Sequence, residues 1–216
     1  MHDNTIDLYT HATPNGYKIS IMLEEVALPY KIHLVDLTKA EQFKPEFLAL
    51  NPNNKIPVIV DPEGPGGSPI TVFESGAILF YLARKTNSQL LPADLRNATT
   101  VMQWVMFQVA NVGPMFGQTG HFTLFSTGEK NIYSIDRYTK ESKRILNVLN
   151  NQLSDNVHVA GSNYSIADIA ILPWINSALR LPTIGDLAQW PAIERWRTAM
   201  LTRPAVERGL NSPKRP

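Results

Sequence analysis

Asn53-Asn54-Lys55-Ile56-Pro57-Val58-Ile59-Val60-Asp61 and, further on, Phe73-Glu74-Ser75-Gly76-Ala77-Ile78-Leu79-Phe80-Tyr81-Leu82-Ala83 decide the reading of this chain. The first stretch reads as a turn, a proline and an apolar β-branched strand. Proline has no amide hydrogen for a sheet ladder, so it belongs at a strand start or on an edge. The second stretch reads as a strand end, an acidic and a hydroxyl residue, and an apolar helix. Ser75 stands just before Ile78, Leu79 and Leu82, where an N-cap hydroxyl is favoured. The first amides of a helix lack internal partners and its dipole is positive there, so a carboxylate fits beside them. Glu74 next door suits an ammonium. If the Ile56-Pro57 bond is cis, the N–H and C=O of Ile56 face outward and pair with an extended ligand as an added strand does. Taken together, these features suit a small peptide thiol. The residues alone leave a blander account open. Most X-Pro bonds are trans, and Ser75 and Glu74 serve equally well as a plain cap and a complement to the dipole.

Upstream, Ile6-Asp7-Leu8-Tyr9 alternates as a strand does, and Thr13-Pro14-Asn15-Gly16 reads as a turn. A helix over 17–27 follows, with Ile19, Met22, Leu23 and Val26 on one face. Thr13 and Asn15 bring hydrogen-bond donors to a strand-to-helix junction, a setting that lowers the pKa of a thiol. Asn-Gly is also among the commonest turn dipeptides. Strands are expected at 6–9, 31–35, 57–61 and 70–73, and helices at 17–27, about 44–50 and 75–85, with the Pro- and Gly-rich stretch 62–69 as a hairpin connection. After residue 87 or so the strand signals stop, and helical periods follow near 94–116, 130–153, 166–180 and 191–202. The expected organisation is an α/β thioredoxin-like domain over 1–86, a linker at 87–93 and an all-α domain over 94–210. The tail from Asn211 to Pro216 is expected to fray.

Composition narrows the function. A formal net charge of +1 gives no reason to expect nucleic acid or an anionic membrane. No stretch approaches the roughly 20 apolar residues of a membrane span, and the N-terminus lacks a basic-then-apolar leader pattern, so a cytoplasmic location is expected. With no cysteine in the chain, a protein disulfide, a CxxC pair, a thiolate zinc site and a cysteine nucleophile are all excluded. Thiol chemistry here uses sulfur brought in by a ligand. The five histidines show no metal-ligand spacing, and no metal is expected. Of these, only His121 invites a further look, and a structural or surface role is its first reading. Ser165-Ile166-Ala167-Asp168 has the form of a capping box flanked by a Tyr164–Ile169 staple, which gives Asp168 a structural role. Met102, Trp104, Met106 and Phe107 read as core or domain interface.

These motifs in this order resemble the glutathione transferase family. Asn51 to Pro57 is similar to its conserved-proline loop, Phe73 to Ile78 to its γ-glutamyl motif, and Tyr164 to Ala170 to its C-terminal capping box. Thr13-Pro14-Asn15-Gly16-Tyr17-Lys18, and Gly113 to Gln118 with His121-Phe122, are most similar to the bacterial nu class, related to a fungal nitrogen regulator. The resemblance implies that Pro57 is cis and that Ile56 pairs with the cysteinyl backbone of glutathione. It implies that Glu74 and Ser75 hold the γ-glutamyl end, that Lys55, Gln42 and Arg137 complete the binding set, and that Thr13 and Asn15 approach the sulfur. The activity implied is glutathione-dependent thiol–disulfide exchange by a homodimer, with glutathione as co-substrate. Conjugation of glutathione to electrophiles is the alternative, with Tyr9 as the weaker candidate hydroxyl. A non-catalytic glutathione-binding regulator is a third reading, for which the chain has no Asn/Gln-rich tract.

Overall fold

In a computed structural model, which describes residues 4–126 and 131–214, the elements run β1 (Ile6–Thr10), α1 (Pro14–Glu25), β2 (Tyr30–Leu34), α2 (Pro45–Leu48), β3 (Val58–Asp61), β4 (Ile70–Phe73) and α3 (Ser75–Lys85). They continue with α4 (Leu95–Phe107), α5 (Gly113–Gly120), α6 (Ile132–Asp155), α7 (Ile166–Ala178), α8 (Pro191–Leu201) and α9 (Pro204–Leu210). The chain forms two compact units. One comprises the residues up to Ser88 together with those from Arg203 onward, and the other comprises Gln89–Thr202.

In the first unit the four strands lie in the order β2-β1-β3-β4. β1 and β2 are parallel, and β3 runs antiparallel to both β1 and β4. This is the expected thioredoxin-like sheet. Side chains alternate across a strand. Ile6, Leu8 and Thr10 are fully buried on one face, and so are Ile19, Met22 and Leu23 of α1 and Ile78, Leu79 and Leu82 of α3. Tyr9 points the other way and packs with Ile56 and Leu50 against Val35, Phe47 and Val58. The register lines up Tyr9, Val58 and Phe73 in one row across the sheet. The chain leaves β1 toward Thr13 and Asn15, enters β3 from Ile56-Pro57, and leaves β4 into Glu74-Ser75. All three connections therefore gather at the same end of the sheet.

Several boundaries differ from expectation. Thr13 to Gly16 is the start of α1 and not a separate turn: Thr13 is the N-cap, its Oγ1 accepting from Gly16 N–H at 3.2 Å, and Pro14 takes the first helical position, where its missing amide costs nothing. Gly16 is needed for close approach, since a Cβ there would run into the His11 carbonyl and Thr10 Oγ1 at the end of β1. The expected helix over 94–116 is α4 joined to α5 through a π-helical segment, Gln108–Val112. Pro114 has no amide for the Ala110 carbonyl, so the ordinary ladder cannot run through this point. The expected start of the next helix at 130 lies outside the described residues, as does the first residue of the expected 1–86 domain. In α7 the capping box is formed: Ser165 Oγ accepts from Ala167 N–H at 3.3 Å and Asp168 Oδ2 accepts from Ser165 N–H at 3.0 Å.

The short helix α9 carries too few turns to show a period in the sequence. Residues 203–210 were expected in the helical domain, but α9 packs on α1 in the first unit. Arg203 grips the Glu25 carboxylate with two hydrogen bonds of 2.9 and 3.0 Å, and Arg208 bonds Glu24 at 2.6 Å. The tail does not fray as far as it is described: Ser212 Oγ lies 3.2 Å from the Tyr30 hydroxyl, and Pro213 is buried. The α1–α9 contact is backbone-close at Gly209, where a Cβ would sit 2.5 Å from Ile21 Cα and 2.6 Å from its nitrogen. Gly209→Ala is therefore expected to lower stability by about 3 kcal/mol, the upper range of an overpacked contact. Thermal unfolding would register this, and an unchanged Tm would mean that α9 shifts freely.

Candidate functional site

The loop before β3 is shaped by Asn51. This buried residue donates from Nδ2 to the Lys55 carbonyl at 2.7 Å and accepts from Asn53 N–H through Oδ1 at 2.9 Å. Asn54 adopts φ 47°, a left-handed conformation that asparagine tolerates. The Ile56-Pro57 bond is cis. Pro57 is buried, Lys55 is exposed and Ile56 is half-buried. Among the described residues neither the N–H nor the C=O of Ile56 has a backbone partner. A backbone pair left open beside a sheet can receive an extended peptide.

Glu74 and Ser75 stand at the start of α3. The cap position belongs to Glu74 and not, as expected, to Ser75, which is the first helical residue and bonds no backbone amide of its own helix as a cap. Ser75 is buried, and its Oγ accepts a hydrogen bond from Lys18 Nζ at 3.1 Å. Lys18 itself is 1% exposed. Burial pushes its ammonium down to about 7, and nearby Glu74 pulls the other way. Lys18 thus ties the first turns of α1 and α3 together. Sequence reasoning gave it no role; the signal was a lysine one turn before Met22 on a helix whose neighbouring positions are apolar.

Glu74 is exposed with φ 69° and ψ 113°. A non-glycine residue held there stores about 1 kcal/mol or more of backbone strain, and such outliers concentrate at ligand sites. Glu74→Gly is therefore expected to be more stable than Glu74→Ala by about 1 kcal/mol, after allowance for the greater freedom of glycine in the unfolded chain. Both variants should bind an amino-acid-like ligand at least about tenfold more weakly, through loss of a charge-assisted contact. Urea unfolding and calorimetry on the pair separate the two effects, and equal stability of the variants would remove the strain.

Asn15 lies in the first turn of α1, two residues past the Thr13 cap. Lys18 follows it by three residues, so the two share a helix face. Gln42 sits in a 3₁₀ turn, Glu41–Phe43, with its carboxamide oxygen buried and, among the described residues, unbonded. Tyr9 stacks on His33 with ring centroids 4.6 Å apart. Burial and then Asp7 raise its phenol above the usual range, which makes it a poorer acid for assisting a thiolate. The same-end gathering thus includes Thr13, Asn15, Ile56, Pro57, Glu74 and Ser75.

In the second unit Arg137 is exposed on α6. It lines a cleft of about 760 Å³ with Tyr133, Tyr138, Glu141 and Arg144, and among the described residues it forms no ion pair. His121 is exposed and meets the Phe122 ring edge-on, and Phe122 stacks on Tyr138. No group of acidic, histidine or cysteine residues among the described residues is placed to hold a metal ion.

Comparison with known proteins adds to this geometry. Residues 4–84 match the model of the glutathione S-transferase N-terminal domain, and residues 93–204 match that of its C-terminal domain. The chain is 46% identical over 206 residues to the disulfide-bond oxidoreductase YfcG of Escherichia coli, covering 95% of this chain and 94% of that protein. A glutathione transferase of Burkholderia graminis, solved with two glutathione molecules per subunit, is 48% identical with a TM-score of 0.91, covering 100% of this chain and 91% of the other. One from Pseudomonas putida, solved with one glutathione disulfide per subunit, is 45% identical with a TM-score of 0.93, covering 98% and 93%.

Proposed function

Since the chain belongs to the glutathione S-transferase family, we propose that it is a glutathione-dependent thiol–disulfide oxidoreductase in which all the reacting sulfur is carried by ligands. The observation that carries this reading is the open backbone pair of Ile56, at the sheet end where Glu74, Ser75 and Asn15 also emerge. Glutathione is an extended tripeptide with an amino-acid group at one end. Its cysteinyl backbone pairs with Ile56, its γ-glutamyl carboxylate meets Ser75 and the first amides of α3, and its ammonium meets Glu74. Gln42 Oε1 accepts from the peptide, and Lys55 supplies positive charge to a carboxylate. The thiol then lies toward Thr13 and Asn15 at the positive end of α1, where the thiolate is favoured.

The reaction follows from the absence of protein thiols. A bound glutathione thiolate attacks one sulfur of a small disulfide, forming a mixed disulfide and expelling the other half as a thiolate. A second glutathione thiolate attacks the mixed disulfide on the glutathione sulfur and expels the second half. Two glutathiones and one disulfide thus become glutathione disulfide and two thiols. The protein contributes alignment and charge stabilisation. The relatives solved with two glutathiones, or with glutathione disulfide, hold ligands suited to such an exchange. The raised phenol of Tyr9 weighs against conjugation by that hydroxyl. Family membership further supports a homodimer, and the composition supports a cytoplasmic enzyme; among the described residues no helix is long and apolar enough to cross a membrane.

The test is reduction of hydroxyethyl disulfide by glutathione, run beside a panel of aryl halides and epoxides. Strong acceleration of disulfide reduction with weak conjugation supports the proposal. A disulfide rate equal to the uncatalysed one overturns it.

A further inference from the structure

We propose that Lys18 is a positioning residue for the γ-glutamyl carboxylate: by donating to Ser75 Oγ it commits the serine hydroxyl to donate outward, and it couples ligand binding to a proton held on Lys18. This inference rests on the glutathione reading and assigns a role that the reading does not need. The chemistry is that of a single hydroxyl. Ser75 has one hydrogen to give and two lone pairs to receive with. An ammonium has three donors and no acceptor, so at 3.1 Å the serine oxygen must be the acceptor of that bond. The serine hydrogen is then left for another acceptor. A carboxylate at the N-terminus of α3 is such an acceptor, and it adds a negative charge that favours the cation behind Ser75. A neutral lysine amine has a lone pair of its own and can take the serine hydrogen instead. The hydroxyl would then be turned inward, away from the ligand.

The surroundings of Lys18 make its charge conditional. It is 1% exposed, so water does little to stabilise the ammonium. The Glu74 carboxylate favours the ammonium. Several other charged groups on the packed elements have partners of their own. Glu24 and Glu25 of α1 pair with Arg208 and Arg203 beside α9, and Asp61 of β3 bonds Tyr81 and Lys85 of α3. Asp7 of β1 pairs with His33 of β2, and Arg84 of α3 lies over the Phe80 ring. With burial holding the ammonium down to about 7, the free protein near neutral pH is partly deprotonated at this position. A ligand carboxylate raises the proton affinity of Lys18, so binding draws a proton from the buffer. By linkage, affinity must then weaken as pH rises above that value, by at most about tenfold per pH unit.

S-methylglutathione is the probe, because its sulfur cannot ionise. Its binding is measured by calorimetry between about pH 6 and pH 8 in two buffers of different ionisation enthalpy, with wild type, Lys18→Met and Ser75→Ala. Methionine matches the lysine stem and removes a buried charge, and a thermal melt establishes that each variant is folded. Wild type should take up a fraction of a proton and weaken with rising pH. Both variants should bind at least about tenfold more weakly, and Lys18→Met should also abolish the proton uptake and flatten the pH dependence. If Lys18→Met does not fold, Ser75→Ala and the wild-type proton count decide. Proton uptake that persists in folded Lys18→Met, unweakened binding by Ser75→Ala, or no uptake in wild type that binds the probe overturns the Lys18 role while leaving the glutathione reading intact. Wild type that fails to bind the probe overturns the glutathione reading, and this role with it.

Discussion

Asp168→Ala is expected to destabilise the helical unit by about 4 kcal/mol, within the range for stripping the partner from several buried donors. Asp168 is fully buried. Its Oδ2 accepts from Ser165 N–H at 3.0 Å and closes the capping box of α7. Its Oδ1 accepts from Val159 N–H at 2.9 Å and from Trp196 Nε1–H at 2.8 Å, and Trp196 is itself 1% exposed. One carboxylate therefore joins the start of α7 to the 158–161 turn and to α8. The Ser165 hydroxyl also donates to Oδ2, at 3.3 Å, so alanine leaves four donors without their acceptor. Asp168→Asn keeps one oxygen but turns an NH₂ toward one set of donors, so it should recover less than half of the loss. Urea unfolding followed by circular dichroism measures both. A loss under about 1 kcal/mol for alanine, the scale of an isolated exposed cap, would mean that water or a local shift satisfies all four donors.

The capping box was legible because its two partners are three residues apart, and so was α3, whose apolar residues recur within a single helix. The sheet was legible for a similar reason: its strands are short local runs, alternating in β1 and, over Val58 to Val60 of β3, continuously apolar and led by a proline. What escaped depends on partners far along the chain. Lys18 looks like a surface residue until Ser75, 57 positions away, is placed against it. Gly16 looks like a turn glycine, yet its backbone is helical, and the need for glycine comes from the His11 carbonyl pressing on that position. Ser75 reads as a cap because hydroxyls favour that place. Glu74 occupies it with a left-handed φ, which no local pattern of residue types announces. For α9, the arginines that fix it bond Glu24 and Glu25 almost the whole chain away. The proposed site residues rest on a resemblance that orders short motifs. The sheet register adds a physical reason for three of those motifs to meet.

Asn15→Ala is expected to lower the rate of disulfide reduction about 30-fold while changing glutathione affinity by less than about threefold, the pattern of an interaction made mainly in the transition state. The magnitude is that of one hydrogen bond to a charged group, roughly 1.5–3 kcal/mol. Thr13 caps α1, Pro14 begins it and Gly16 admits the end of β1, so the backbone at position 15 is set by its neighbours. A carboxamide in this first turn instead adds its N–H to the partial positive charge of the helix end, where a thiolate gathers charge before attack. Loss of that donor raises the pKa of the bound thiol, so the rising limb of the pH–rate profile should move up by about one unit. Thr13→Ala provides the contrast, since removing the cap should cost about 1 kcal/mol of stability whatever it does to rate. Steady-state kinetics across pH, together with calorimetry on glutathione disulfide, distinguish the outcomes. If Asn15→Ala loses affinity and turnover in equal measure and keeps the wild-type pH profile, Asn15 shapes the binding surface and the sulfur is stabilised elsewhere.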